Sequence, residues 1–213
     1  MIVLAHRGRH PGTRRRPDNT IAAFERAIRA GMDGVEVDVR GSSDGLAVLF
    51  HDARCRGRSV ASLTRDALSR LSRREVPTLD EALDRLPGAF FDVELKTAAA
   101  VDAAAPALRA ADPRRLVVTS FLPEVVAAAA RRLRVPCGLI LARPPRTLAN
   151  PPWRRLAADP HVRTLVLHLA HAAPRVVDAA HTDGFMVYAW GVARPAHRRR
   201  AVELGIDGIV VDP

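Results

Sequence analysis

The sequence predicts an α/β protein whose eight parallel strands close into a (β/α)8 TIM barrel, compact for that fold. Short apolar runs rich in Val, Ile, Leu and Phe alternate eight times with Ala/Arg/Leu segments of helical period. The runs are nearly continuous in apolar residues, as strands of a parallel sheet covered on its outer face are. An open doubly wound sheet of the dinucleotide-binding kind needs a glycine-rich turn after its first strand, and His6-Arg7-Gly8-Arg9 does not supply one.

The strands are read at 2–5, 34–39, 90–95, 115–120, 137–141, 164–168, 185–189 and 208–211. Helices fall between them near 19–31, 78–86, 98–111, 123–134, 147–158, 173–181 and 195–204. Asp18 or Asn19 is suited to cap the first helix, Thr78 with Glu81 forms a capping-box pattern, and Pro123 opens a helix at its first turn. Gly31 and Gly205 stand just past the last periodic residues of their helices, where left-handed C-terminal caps form. A short excursion after the second strand, Gly45 to Arg73, carries one extra strand near 46–50 and a short helix near 62–71. The proline-rich stretch from Arg143 to Pro152 is read as a surface loop. No eighth helix follows the last strand, so either a partner covers its outer face, as in a homo-oligomer, or a neighbouring helix shifts over it.

At 213 residues, 48% hydrophobic and 26% charged, residues 1–213 are expected to form one soluble domain with a substantial core. No run reaches the 18 or so apolar residues of a membrane span, so stable membrane insertion is not expected. The first residues do not have the pattern of a secretory signal. Cys55 and Cys137 are too few for a disulfide framework, which points to the cytoplasm. A net charge of +10 raises the question of a polyanion partner. Most arginines are spread over helix faces, however, and Trp and Tyr number only three, so nucleic acid is not expected. Arg14-Arg15-Arg16 stands apart because it lies in the loop after His6.

Functional side chains of such barrels gather at the C-terminal ends of the strands. His6, Glu36, Asp38, His51, Glu94 and Lys96 all fall at or near strand ends. Strand side chains alternate, so Glu36 and Asp38 share one face and Asp92, Glu94 and Lys96 share one as well. Buried carboxylates are costly unless paired, hydrogen-bonded or bound to a cation. Glu36, Asp38 and Glu94 therefore suggest a hard oxygen site for Mg²⁺ or Ca²⁺, the alternative being a metal-free ion-pair set with Arg7 and Lys96. His6 and His51 are suited to acid–base work near neutral pH, and Arg7 and Lys96 to contacting a phosphate. Trp190 is read as a pocket wall, and Asp92 as a deeper group with either a hydrogen bond to Lys96 or a catalytic role. His168 is read as a core residue or as one facing the mouth. The set reads as metal-assisted cleavage of a phosphate ester, with a small-molecule phosphodiester as substrate.

An ordered series of motifs resembles the glycerophosphodiester phosphodiesterases: His6-Arg7-Gly8, Pro17-Asp18-Asn19-Thr20, Gly34-Val35-Glu36-Val37-Asp38, Asp44-Gly45 and His51-Asp52. The likeness continues through Glu94-Leu95-Lys96, Ser120-Phe121, Ala189-Trp190 and Asp207-Gly208-Ile209-Val210-Val211-Asp212. It spans nearly the whole chain. The resemblance implies a barrel hydrolase that converts glycerophosphodiesters to glycerol 3-phosphate and an alcohol. Glu36, Asp38 and Glu94 would hold a divalent metal, and His6 and His51 would form the acid–base pair. Two alternatives remain: lyase or phospholipase D-like cleavage of lysophospholipids through a cyclic phosphate, and non-catalytic phosphate or polyanion binding. The family's usual Glu is Asp18 here, and its Thr-Val-Asn after the tryptophan is Gly191-Val192-Ala193. A short excursion after His51 and the basic Arg14 to Arg16 loop lead to the expectation of a larger or more anionic diester.

Overall fold

The computed structural model describes residues 1–9 and 18–212; His10, Arg14 to Arg16, Pro17 and Pro213 lie outside the described residues. In chain order the elements are β1 (Ile2–His6), α1 (Ile21–Arg29), β2 (Gly34–Gly41), β3 (Ala47–Leu49), β4 (Arg54–Cys55), β5 (Arg58–Ser59), α2 (Arg65–Ser72), α3 (Leu79–Arg85) and β6 (Phe90–Leu95). There follow α4 (Ala98–Ala110), β7 (Leu116–Ser120), α5 (Pro123–Leu133), β8 (Cys137–Leu141), α6 (Pro152–Leu156), β9 (Val162–His168), α7 (Pro174–Thr182), β10 (Met186–Val192), α8 (Pro195–Glu203) and β11 (Gly208–Val211).

Eight strands run parallel in the order β1, β11, β10, β9, β8, β7, β6, β2, and β1 pairs with β2 to close the barrel. Period-2 alternation sorts their side chains into two cores. Val35, Val37, Val39, Phe91, Val93 and Leu95 point outward into the main core under the helices. Leu4, Val117, Ile140, Val166, Tyr188 and Val210 fill the barrel interior. On β2 and β6 the interior positions are instead Glu36, Asp38, Asp92 and Glu94, all buried.

The outer face of the last strand needs no partner to cover it. Ile209 and Val211 are fully buried within the chain's own core, in the same cluster as Ala201 of α8 and Ala27 of α1. The first helix is capped by Thr20, whose side chain accepts from the Ala23 N–H, rather than by Asp18 or Asn19. Asn19 is used elsewhere, as shown below. The Thr78–Glu81 capping box and the Pro123 start are present as expected. Of the helix expected over 147–158 only Pro152–Leu156 forms. Proline disfavours helical geometry in the residue before it, so Pro151 and Pro152 let the helix begin only at Pro152.

The excursion after β2 is more structured than its sequence suggests. β3 adds antiparallel to the end of β2, and β4 and β5 form a hairpin across Arg56 and Gly57, both with positive φ. That backbone is the one tight two-residue hairpins require. Val48, Phe50, Cys55, Val60, Leu63, Leu68 and Val76 give the excursion its own small core, which fixes where His51 leaves the barrel rim.

Candidate active site

A cavity of about 170 Å³ opens at the C-terminal ends of the barrel strands. It brings together His6, Arg7, Glu36, His51, Glu94, Lys96 and Trp190, seven of the eight residues expected from sequence. The eighth, Asp38, is buried directly behind, in ionic contact with Arg7 and Lys96. A larger groove of about 620 Å³ lies outside the barrel between α3 and α4, and none of these residues lines it.

The turn after β1 aims the polar half of the site. Arg7 and Gly8 both have positive φ, and a side chain on Gly8 would collide with Phe24. This backbone points the Arg7 N–H at Glu36 Oε2, 3.1 Å away, and brings Arg7 Nε to 3.0 Å from Asp38 Oδ2. Lys96 Nζ lies 2.6 Å from Asp38 Oδ1 and 2.5 Å from Glu94 Oε1. Both cations expected to meet phosphate are therefore also partners of the carboxylates. Asn19 grips Asp38 twice: its amide donates to Asp38 Oδ2 at 2.7 Å, and its Oδ1 accepts from the Asp38 N–H at 3.2 Å.

The electrostatics follow from burial and neighbours. Burial, with the charges of Asp38 and Glu94 beside it, pushes Glu36 well above the usual carboxylate range. Burial also acts to raise Asp38, but Lys96 and Arg7 outweigh it and hold this carboxyl low. Glu94 is raised by burial, partly offset by Lys96. Burial acts to lower Lys96, but Asp38 and Glu94 prevail and raise it, so it is a protonated lysine. Asp92 lies one layer deeper and accepts from Thr119 Oγ1 at 2.5 Å rather than from Lys96; burial lifts its carboxyl to about 7.

Each histidine has a carboxylate at Nδ1. His6 Nδ1 is 2.5 Å from Asp212 Oδ1, and His51 Nδ1 is 2.7 Å from Asp52 Oδ1. Burial acts to raise Asp212, yet its bond to His6 and the neighbouring His6, Arg9 and Arg7 together lower it; an ionised carboxylate only accepts, so His6 Nδ1 is the donor. That arrangement leaves His6 Nε2, 3.8 Å from Glu36 Oε2, as the ring's open nitrogen.

A cation fits the donor set. One oxygen or more from each of Glu36, Asp38 and Glu94 lies within 4.8 Å of the others, and all three residues are buried. Among the described residues no lysine or arginine side chain is in ionic contact with Glu36, and the His6 ring lies 3.8 Å away. Asp38 Oδ1 touches Lys96 without an aligned hydrogen bond, which leaves an acceptor to fill. The donors are carboxylate oxygens alone, the choice of hard divalent ions.

The other half of the cavity is apolar: Phe121, Ile140, Val166, Trp190 and Val210. Trp190 packs edge-on against His168, with ring centroids 4.3 Å apart. Gly191 makes room for that imidazole, since a Cβ there would stand 2.8 Å from His168 Nε2. Gly191 thus leaves the space that the His168 ring occupies beside Trp190.

Sequence reasoning missed three supporting residues. Asp52 was detectable as the neighbour of His51. Asp212 and Asn19 stand in recognisable motifs, but their partners are 206 and 19 residues away, and only the closed barrel brings them together.

A parallel barrel whose mouth gathers two imidazoles, three carboxylates and two cations around one small cavity defines an enzyme of the phosphoric diester hydrolase class. A sequence model described as the glycerophosphoryl diester phosphodiesterase family matches residues 6–106 and 92–213, and the chain belongs to that family. A glycerophosphodiester phosphodiesterase of Caldanaerobacter subterraneus is 26% identical over 99% of this chain and 93% of its own length. The probable glycerophosphodiester phosphodiesterase 2 of Mycobacterium tuberculosis is 30% identical over 99% and 87%. Among solved structures, a glycerophosphodiester phosphodiesterase from Thermotoga maritima superposes with a TM-score of 0.83 at 25% identity, covering 99% of this chain and 94% of that one. A phosphodiesterase from Oleispira antarctica, in complex with the product sn-glycerol-3-phosphate, has a TM-score of 0.81 at 23% identity, covering 100% and 93%.

Proposed function

We propose that residues 1–213 act as a single catalytic domain that hydrolyses glycerophosphodiesters to glycerol 3-phosphate and an alcohol with the help of a divalent metal. One observation carries this reading: two imidazoles, each held at Nδ1 by a carboxylate, line the same cavity as Arg7, Lys96 and the acidic cluster. The product named for the Oleispira relative supports the same substrate class.

Glu36, Asp38 and Glu94 are the residues to hold Mg²⁺ or Ca²⁺, which would supply Lewis-acid stabilisation of charge on the phosphate oxygens. Arg7 and Lys96 bind the phosphate, and Lys96 has three N–H donors to divide between it and the carboxylates. His6 and His51 move the protons. A neutral Nε2 on one ring accepts the proton of the attacking water, and the protonated Nε2 of the other delivers one to the leaving alkoxide. Asp212 and Asp52 hold each ring with Nδ1 as donor, so that Nε2 is the working atom. Trp190 and Phe121 form the wall that meets the less polar part of the substrate. The buried, free thiols of Cys55 and Cys137 accord with a cytoplasmic setting.

The test is release of glycerol 3-phosphate from glycerophosphocholine, with Mg²⁺ and Ca²⁺ supplied in turn. Chelation with EDTA is expected to abolish turnover, and His6→Ala or His51→Ala to lower kcat by about 10²- to 10⁴-fold while the fold is retained. Full turnover in EDTA, or in either histidine variant, refutes the mechanism. Accumulation of a cyclic phosphate instead of glycerol 3-phosphate establishes the lyase reaction in its place.

A further inference from the structure

We propose that the mouth face of the barrel docks on an anionic lipid surface, with Phe121 and Leu122 as its apolar contact and unpaired arginines around the rim as its electrostatic one. This goes beyond hydrolysis of a diester and does not rest on it.

Phe121 and Leu122 follow β7 directly and are 41% and 39% exposed. They are the only two neighbours in sequence among the exposed large hydrophobic residues described. Phe121 also reaches the cavity, its ring edge-on to Trp190 with centroids 6.3 Å apart. An aromatic and an aliphatic side chain left in water beside an apolar cavity wall suit the boundary between headgroups and acyl chains.

Six exposed arginines stand on the same face. Arg54, Arg56 and Arg58 stand exposed on the β4–β5 hairpin, three to seven residues after His51. Arg143, Arg175 and Arg194 stand exposed on the connections that leave β8, β9 and β10. All six lie on segments departing from the C-terminal ends of barrel strands, the end at which the cavity opens. None has a carboxylate partner among the described residues. On the flanks and the opposite end some arginines are neutralised, Arg29 and Arg85 by Glu25, Arg114 by Asp112 and Arg154 by Asp183. Others, such as Arg131 and Arg134, have no carboxylate partner among the described residues. What sets the six at the mouth apart is the exposed apolar pair beside them. Unpaired cations around an apolar patch complement a surface that is both negative and apolar. The hairpin is a stiff support for three of them, since Cys55 is buried in the small core of the excursion and the turn uses positive φ at both of its central residues.

Nucleic acid matches these features less well. Base stacking along a strand needs a series of exposed aromatic platforms, but Trp153 and Tyr188 are buried, Trp190 faces the cavity, and Phe121 is the only exposed Phe, Tyr or Trp side chain among the described residues.

Co-sedimentation of the full chain with vesicles of phosphatidylcholine alone, or of phosphatidylcholine with 30% phosphatidylglycerol, at about 0.1 M salt tests the proposal without any turnover assay. Binding to the anionic vesicles at least about tenfold tighter is expected, because each arginine near an anionic bilayer strengthens binding about fivefold. The quadruple variant R56E/R58E/R143E/R175E is expected to lose about 100-fold or more of that binding, and Leu122→Ser several-fold, with far-UV spectra and Tm near wild type. The control R131E/R134E reverses two exposed arginines at the far end of the barrel and is expected to bind as wild type. Three outcomes overturn the proposal: no preference for anionic vesicles, equal losses in the control, or binding to an oligonucleotide through the same arginines with none to the vesicles.

Discussion

The two halves of the barrel mouth are built on opposite plans. On β1, β2 and β6 the interior positions near the mouth carry His6, Glu36, Asp38 and Glu94, joined to Arg7, Lys96 and Asn19 by contacts of 2.5 to 3.8 Å. On β8 to β11 the corresponding positions carry Ile140, Val166, Trp190 and Val210, held by packing alone. In the polar half every charged group is another's support, so removing one strands several. In the apolar half each residue contributes its own area, and the neighbours can relax. The molecule concentrates its electrostatic risk in the half that handles the phosphate.

The sharpest way to break this contrast is Asp38→Ala. The change leaves Lys96, Arg7 and the Asn19 amide facing an empty position, and breaking a buried ion pair from one side costs about 3 to 5 kcal/mol. Urea denaturation is expected to show that loss together with loss of turnover. A destabilisation below about 1 kcal/mol means that the polar half is not interlocked.

A second test uses pH. Burial raises the Asp92 carboxyl to about 7, so folding favours its neutral form. The sign follows: this contribution to stability is complete below the unfolded pKa of about 3.9 and is lost as pH rises through about 7. Asp92→Asn keeps an oxygen to accept from Thr119 and removes the titration. Relative to wild type, the variant is expected to gain stability steadily from pH 4 to 7, by about 4 kcal/mol at most, and to level off above. Parallel stability curves across that range refute a raised Asp92.

The smallest effect belongs to the apolar half. Ile140→Val removes one methyl group from the barrel interior, and the expected cost is about 0.5 to 1.5 kcal/mol, with turnover of glycerophosphocholine within about twofold of wild type. A loss of turnover approaching that of His6→Ala gives Ile140 a role in positioning the substrate and erases the contrast.

Much of both halves is legible in the chain. The strands at 137–141 and 208–211 have the bounds that their apolar runs mark, because a run with no polar side chain has nowhere to go but a doubly covered strand, and 90–95 is bounded as its alternation of apolar and acidic residues marks it. Period 2 then dictates that Glu36 and Asp38 share a face with each other and not with Val35, Val37 and Val39. Where local rules compete, legibility ends. Asn19 and Thr20 are both good N-caps, and the choice of Thr20 is made by Asp38, which claims the Asn19 side chain from another strand. The β4–β5 hairpin was missed because two-residue strands carry no period to read.

By itself the sequence determined the strand order along the chain, the faces of the acidic residues and the identity of the chemical groups at the mouth, since these rest on alternation and on the chemistry of each side chain. Only the tertiary structure decided who meets whom. His6 and Asp212 stand 206 residues apart and touch because the first and last strands pair to close the barrel. Lys96 binds two carboxylates, and Asp92 turns to Thr119, because each buried charge or polar atom takes the nearest partner that the closed barrel presents.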